Sequence, residues 1–282
     1  MYKFTSLARP LDFEYQSNRF IAGLALTAAA AGAIFQLATG ALLWNASLWG
    51  LEAGLFVFLT WAISREIDPE FSSSASLAGL LSFAAYYAVP KPSLGVSFWF
   101  LIASRLLNRS TGVNPKTFDY LTFSALSIWQ IVDSSALYGI LGCIVLVLDY
   151  ILGKNKIIPA FCAALLLIFA SVWWFATNQR LQLSLPDIQT AFILLIIAFL
   201  YLLVVLRSRT VTAACDVSED LLSPLRVQTC QVFIFSALLL GLFLLGSDKV
   251  SDFSPIFFAI VGVSIFNLAQ LLKNRIDRLD FQ

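Results

Sequence analysis

Three carboxylates follow the second apolar segment of the chain within a stretch of five residues: Glu66, Asp68 and Glu70. Carboxylate oxygens are ligands that Mg²⁺ prefers, and a protein-bound Mg²⁺ usually keeps water molecules that can contact a phosphate. Pro69 cannot continue a helix, so it fixes the direction of the chain between these side chains. The spacing predicts a Mg²⁺ site, and an ordinary hydrated acidic loop is the alternative that the sequence leaves open.

A second polar corner follows the fourth apolar segment, where Arg105, Asn108 and Arg109 are spaced i, i+3, i+4. In a helix this spacing puts the three side chains on one face. Guanidinium groups bind phosphate or carboxylate through paired hydrogen bonds, so the corner is a candidate site for an anionic group. The alternative is that both arginines reach lipid headgroups and only fix the topology.

Two acidic residues lie inside apolar segments. Glu52 stands within the second segment, and Asp149 stands about one turn before the end of the sixth. A carboxylate in lipid is costly, and it must find a partner or take up a proton. Glu52 is therefore a candidate for proton coupling or for a hydrogen bond to an amide on a neighbouring helix. Asp149 is expected to pair either with Lys154 and Lys156 or with the polar corners.

The composition requires a membrane environment for these groups. Of 282 residues, 59% are hydrophobic and 12% are charged, and the mean hydropathy is +0.84. A soluble domain of this size needs more charge on its surface. The chain has no histidine and a net charge of +1, so we expect no haem, no zinc and no nucleic-acid partner.

The elements that must position the polar corners are transmembrane helices, each of which needs roughly 20 apolar residues. The sequence predicts an all-α polytopic bundle in residues 20–272, between a cytoplasmic or interfacial segment at 1–19 and a cytoplasmic tail at 273–282. Ten helices are expected near 20–44, 47–64, 73–89, 93–107, 119–134, 136–152, 157–176, 187–206, 227–247 and 254–272.

Two parts of this layout are open at the sequence level. The 73–107 region is either two full spans or a re-entrant pair, because its second apolar run is short. The loop 207–226 is expected to hold one helical turn that begins at Asp216, has Glu219 as its capping-box partner, and ends before Pro224.

The positive charges test the layout independently, because hydropathy alone located the helices. If all ten segments cross the bilayer, every lysine and arginine lies on the side of the N-terminus except Lys91, Arg180 and Lys249. Such asymmetry predicts that both termini are cytoplasmic. We expect the protein in the plasma (inner) membrane.

A transporter for a small or amphipathic solute is the first functional hypothesis. It would need no cofactor, and its binding or gating residues would be Glu52, Arg65, Arg105, Asn108, Arg109 and Asp149. Its motivation is the even topology, the acid inside the membrane and the lack of sequence outside the helices.

A membrane enzyme that acts on a lipid phosphate or diphosphate at the cytoplasmic face is the second hypothesis. In it, Glu66, Asp68 and Glu70 hold Mg²⁺ while Arg105 and Arg109 bind the phosphate. A packing subunit of a membrane complex is the third. The expected partners are the bilayer and a small-molecule or lipid ligand, and the sequence leaves open a second copy of the chain or another membrane protein.

Overall fold

The computed structural model describes residues 4–88, 92–153, 157–178, 183, 185–218, 220–245 and 251–279. These parts contain no strand, and the chain is 79% helix. Six helices are long and apolar enough to cross a membrane: Gln16–Ala38, Leu43–Ile67, Ile157–Thr177, Ile188–Thr210, Pro224–Leu244 and Ser251–Asp277. The all-helical class expected from the sequence is confirmed, and these six helices support a membrane protein.

Helical segments occupy all ten expected places within the described residues. They are α1 Gln16–Ala38, α2 Leu43–Ile67, α3 Ser72–Ala85, α4 Leu94–Asn108, α5 Thr117–Asp133, α6 Leu137–Leu152, α7 Ile157–Thr177, α8 Ile188–Arg207, α9 Pro224–Leu244 and α10 Ser254–Leu279.

Three helix boundaries differ from the expected positions. Helix α1 ends at Ala38 rather than near residue 44, because the chain turns at Gly40, which has a φ of +88°. Helix α10 continues through the expected tail to Leu279. Pro224 begins α9 instead of ending a surface turn, since proline is well suited to the first turn of a helix.

The loop before α9 also differs from the expected helical turn. Ala214 and Leu221 form an isolated antiparallel bridge, and the Leu222 N–H donates to the Ala213 carbonyl at 2.9 Å. Asp216 lies in the turn between them. Glu219, its expected partner, is outside the described residues.

Four helices are shorter than a bilayer core. Helices α3, α4, α5 and α6 have 14, 15, 17 and 16 residues. With 1.5 Å per residue they are about 21–26 Å long, whereas the hydrocarbon core is about 30 Å thick. Their lengths alone therefore do not establish them as full spans.

The chain divides into two compact units, each built around five helices. Unit 1 comprises residues 1–10, 95–185 and 210–253, with α4, α5, α6, α7 and α9. Unit 2 comprises residues 11–94, 186–209 and 254–282, with α1, α2, α3, α8 and α10. The N-terminal ten residues thus belong to a different unit from the helix that follows them.

Small residues allow α1 and α2 to pack closely in unit 2. A methyl group on Gly54 would lie 2.8 Å from the Ala25 carbonyl oxygen, and one on Gly50 would overlap the Ala29 carbonyl oxygen. Gly50 and Gly54 form a GxxxG pattern, which is typical of helices whose backbones touch in membranes. Glu52 lies two residues from each glycine, so helix geometry puts it on the face of α2 that points away from this contact.

An aromatic core organises unit 1 around Trp99 of α4. The Trp99 indole N–H donates to the Ser127 hydroxyl on α5 at 2.9 Å. The rings of Phe123, Tyr138 and Phe233 lie with their centroids 5.5, 5.6 and 6.3 Å from that of Trp99. The buried indole therefore joins α4 to α5, α6 and α9, which carry the polar cluster described next.

Candidate functional site

Asp149 is the centre of a buried charged cluster in unit 1. Its carboxylate is fully buried in the last turn of α6. Oδ1 accepts hydrogen bonds from Arg109 Nε at 3.1 Å, Arg109 Nη2 at 2.9 Å and Arg226 Nη1 at 3.0 Å. Oδ2 accepts one from the Tyr120 hydroxyl at 2.7 Å. One carboxylate is thus shared by two guanidinium groups, which leaves one positive charge in excess.

The backbone at Arg109 is bent into a conformation that arginine rarely adopts. Arg109 directly follows α4 and has a φ of +53°. Its N–H donates to the Arg105 carbonyl at 2.9 Å and closes the final turn. A left-handed conformation costs a residue with a Cβ about 1–2 kcal/mol. The bonds from the side chain to Asp149 and Asn114 offset this strain.

Arg226 lies where a cation is electrostatically unfavourable. It stands in the first turn of α9, at the positive end of the helix dipole. Nη1 donates both to Asp149 and to the Leu107 carbonyl, the latter at 2.8 Å. Nη2 is buried and has no hydrogen-bond partner among the residues that the structure describes. This guanidinium group therefore has donor capacity that the described protein atoms do not use.

Two adjoining cavities open beside the cluster. The smaller has a volume of about 270 Å³ and is lined by Arg109, Asn114, Tyr120 and Asp149 together with Tyr150 and Pro159. The larger has a volume of about 680 Å³ and shares Asn114 and Tyr120 with the first. Lys116 and Thr117 line it on the polar side, and Ile157 and Ile158 of α7 line it on the apolar side. A charged floor thus continues into a partly apolar groove.

The 105–112 corner also holds the N-terminal segment. Arg105 Nη1 donates to the Leu7 carbonyl at 3.0 Å, and the Thr111 hydroxyl donates to the Ser6 carbonyl at 2.9 Å. Asn108 is buried within the same corner. Of the three residues that share the predicted face, Arg109 bonds to Asp149, whereas Arg105 bonds to the segment that precedes α1.

Asp119 also fixes this segment. Its Oδ2 accepts hydrogen bonds from the Ser6 N–H at 3.0 Å, the Ser6 hydroxyl at 2.8 Å and the Lys116 N–H at 2.8 Å. The last of these caps the start of α5. The carboxylate thus fixes the start of α5, the helix that carries Tyr120.

A second arginine–carboxylate pair lies in unit 2. Arg207, at the end of α8, donates from Nη2 to Asp68 Oδ1 at 2.6 Å and from Nη1 to Asn267 Oδ1 at 2.6 Å. Its guanidinium carbon lies 4.8 Å from the ring centre of Phe71. Asp68 is buried, so this pair brings a charged contact into the interior of unit 2 at the acidic corner.

The three predicted metal ligands occupy different environments. Glu66 and Asp68 are buried, whereas Glu70 is exposed. Within the described residues, no group of three aspartate, glutamate, cysteine or histidine side chains is arranged to hold a metal ion. The Mg²⁺ site remains a prediction.

The remaining predicted residues, Glu52 and Arg65, lie in unit 2. Glu52 interacts electrostatically with Tyr86, whose ring packs edge-on against Trp49 with centroids 4.7 Å apart. Arg65 makes a long contact of 3.5 Å to the Pro69 carbonyl and closes the end of α2. Neither residue belongs to the unit that contains Asp149.

Two members of the cluster, Arg226 and Tyr120, were not predicted from the sequence. Arg226 looks like one of the many cations that border an apolar segment, and Tyr120 looks like an ordinary interfacial tyrosine. The signal that could have identified Arg226 is its place two residues after Pro224, because a cation in the first turn of a helix opposes the helix dipole. Lys154 and Lys156, the alternative partners of Asp149, are outside the described residues.

No family model, curated protein or solved structure matches this chain. Its function must therefore be inferred from the geometry of its own residues.

Proposed function

We propose that the protein is a membrane transporter for a small or amphipathic solute, and that the solute binds at the Asp149 cluster of unit 1. The observation that carries this proposal is a fully buried carboxylate shared by Arg109 and Arg226 at the floor of a cavity. Ionisable groups are expensive inside a membrane protein and usually mark a solute or ion pathway.

The proposed topology has ten membrane crossings, with both termini in the cytoplasm of a cell whose plasma (inner) membrane holds the protein. The alternating distribution of lysine and arginine supports it. The four short helices fit if the bilayer thins locally or if neighbouring helices shield their ends. Reporter fusions at Lys154 and Arg207 test this arrangement. We expect both reporters on the cytoplasmic side, and opposite sides would overturn the topology.

Solid-supported membrane electrophysiology tests the transport proposal, because it detects charge movement for unlabelled solutes. The purified protein is reconstituted and exposed to a panel of carboxylates, organic phosphates and neutral sugars, with pyranine inside the vesicles to report proton flux. We expect at least one solute to give a response that protein-free vesicles lack. Asp149→Asn should abolish this response, whereas Asp133→Asn, at an exposed carboxylate, should retain it.

Two results would overturn the transport proposal. One is a folded wild-type protein that responds to no solute in the panel. The other is an Asp149→Asn variant that transports as fast as the wild type, because the cluster would then lie off the solute path.

Glu52 is the proposed proton-coupling residue of the same transporter. Its place inside α2, within electrostatic reach of Tyr86, supports this role, because an ionisable residue inside a membrane segment usually marks a solute or proton pathway. Glu52→Gln should keep solute binding and lose the pyranine signal, while Glu14→Gln, at an exposed carboxylate, should change neither. A normal proton flux in Glu52→Gln would remove this residue from the mechanism.

A membrane enzyme that acts on a lipid phosphate with Mg²⁺ is the second candidate. One observation favours it: Asp68 Oδ2 is buried and has no hydrogen-bond partner within the described part of the chain. If Asp68 holds Mg²⁺ with Glu66 and Glu70, the ion should raise the unfolding temperature of the wild type but not of Asp68→Asn. An unfolding curve that Mg²⁺ leaves unchanged would contradict this candidate.

A further inference from the structure

We infer that the ligand of the Asp149 cluster is an amphipathic oxyanion, that is, a phosphate or carboxylate head joined to an apolar tail. This inference rests on the proposed binding site and specifies its ligand class. The head would lie at the 270 Å³ cavity beside Arg109, and the tail would lie along the groove beside Ile157 and Ile158.

The charge balance selects the head. Arg109 and Arg226 bring two positive charges to one carboxylate, Asp149, and both carboxylate oxygens already accept hydrogen bonds. An added oxyanion neutralises the remaining charge, whereas a neutral or cationic head leaves it uncompensated in a buried place. Arg109, which lines the smaller cavity, is the guanidinium group that such an acceptor would meet there.

The N–H donors of this region favour a ligand head whose oxygens accept hydrogen bonds and carry no protons. Guanidinium groups carry N–H donors and no acceptor, and they bind phosphate or carboxylate oxygens in a forked geometry. Lys116 adds a third cation on the wall of the adjoining groove. A head rich in hydroxyl donors, such as that of a sugar, would find few acceptors left at Asp149.

The shape of the two joined cavities indicates that the ligand has an apolar tail. The two cavities share Asn114 and Tyr120, so one molecule can occupy both. Ile157 is 82% exposed at the outer end of the groove, where it would lie against lipid in a membrane. An apolar chain attached to the head can follow Ile157 and Ile158 out of the polar floor, since burial of its methylene groups is favourable.

Isothermal titration calorimetry of the purified full-length protein in a neutral detergent tests the inference. The ligands are octyl phosphate, inorganic phosphate and octyl glucoside, all at constant ionic strength. We expect octyl phosphate to bind at least tenfold more tightly than inorganic phosphate and octyl glucoside to give no saturable signal. Equal behaviour of octyl phosphate and octyl glucoside would overturn the inference.

A second titration, in lipid nanodiscs, distinguishes a lipid that carries the oxyanion from a soluble amphipathic anion. The same titration uses nanodiscs of phosphatidylcholine with and without phosphatidic acid. Competition by phosphatidic acid against octyl phosphate indicates a lipid ligand, and unchanged octyl phosphate binding indicates a soluble amphipathic anion. Both results support the oxyanion class.

Variants locate the binding site. Arg109→Gln, at the smaller cavity, should weaken octyl phosphate at least tenfold, while Arg275→Gln, at an exposed arginine of α10, should leave its affinity unchanged. If Arg109→Gln does not fold, Lys116→Gln on the groove wall tests the site instead, and it should weaken octyl phosphate binding at least threefold. Wild-type affinity in the folded variants would overturn the assignment.

Failure of this inference is distinguishable from failure of the transport proposal. Transport without oxyanion binding would leave the transporter and reject the ligand class. Oxyanion binding without transport of any anion would support the ligand class and reject the transporter.

Discussion

Removal of the Asp149 carboxylate should destabilise unit 1 more than removal of one of its arginine partners. In Asp149→Asn, two guanidinium groups whose side chains are 17% and 9% exposed lose their shared counter-charge. Loss of one partner of a buried ion pair costs about 3–5 kcal/mol. Because Arg109 keeps some solvent contact, we expect a cost of about 3 kcal/mol, the lower end of that range.

A second substitution should recover part of this cost. In Asp149→Asn combined with Arg226→Gln, Arg109 remains as the single cation of the cluster, so the excess charge returns to that of the wild type. The double variant should therefore be more stable than Asp149→Asn alone, although it has lost more hydrogen bonds. A coupling of about 1–2 kcal/mol is expected, within the range seen for residues that share one network.

Reversible unfolding in mixed micelles with increasing dodecyl sulfate measures these free energies. Asp133→Asn, at an exposed carboxylate, is the matched control and should change stability by less than about 0.5 kcal/mol. Two results would refute the reasoning. One is an Asp149→Asn variant as stable as the control, and the other is a double variant that is no more stable than Asp149→Asn alone.

Further predictions concern the helix contacts, the second arginine and the loop. Gly50→Ala should lower the unfolding temperature, because the added methyl group overlaps a carbonyl of α1. Gly23→Ala is the control, since its methyl group would meet nothing within 4 Å, and it should leave the unfolding temperature equal or higher. The reverse order would contradict the close α1–α2 packing. Arg207→Lys should destabilise unit 2 by about 1.5–3 kcal/mol because lysine cannot bond two acceptors as a fork, while the exposed Arg209→Lys should be neutral in the same unfolding assay. Cys215, in a variant without the other cysteines, should react slowly with maleimide at pH 7, because burial raises the pKa of its thiol. Its reaction rate should still be rising with pH above about 8.5, the ordinary thiol pKa, and a rate equal to that of the unfolded chain would refute the burial.

The helices were predictable because long apolar runs determine where a chain can form helices in a membrane. Their ends were less predictable, since hydropathy does not detect local backbone geometry. The apolar run continues past Gly40, yet the left-handed φ of this glycine ends α1. Helix α10 extends to Leu279 because Lys273 and Arg275, which are too polar for a span, are good helix formers.

The candidate site was only partly predictable, because its members are far apart in the chain. Arg109 and Asp149 were both identified as unusual, the first by its spacing and the second by its apolar surroundings. Arg226 lies 77 residues after Asp149, and the sequence does not contain the packing of α9 beside α6 that joins them. Asp68 similarly looked like a metal ligand, because its partner Arg207 is 139 residues away.

The GxxxG pattern in α2 is a local signal that the sequence analysis did not use. Gly50 and Gly54 are visible without a structure, and their spacing predicts a close helix contact in a membrane. What the sequence does not provide is the partner, since several helices of this chain are rich in alanine. The contact with Ala25 and Ala29 of α1 became evident only from the backbone distances.

A crystal structure grown with 8-bromooctyl phosphate tests the central claim most directly, because anomalous scattering locates the bromine without bias. The bound head should lie within hydrogen-bond distance of Arg109, and the bromine should lie along α7 beside Ile157 and Ile158. A bromine peak elsewhere, with the smaller cavity empty of ligand, would contradict the assignment of this cluster as the ligand site.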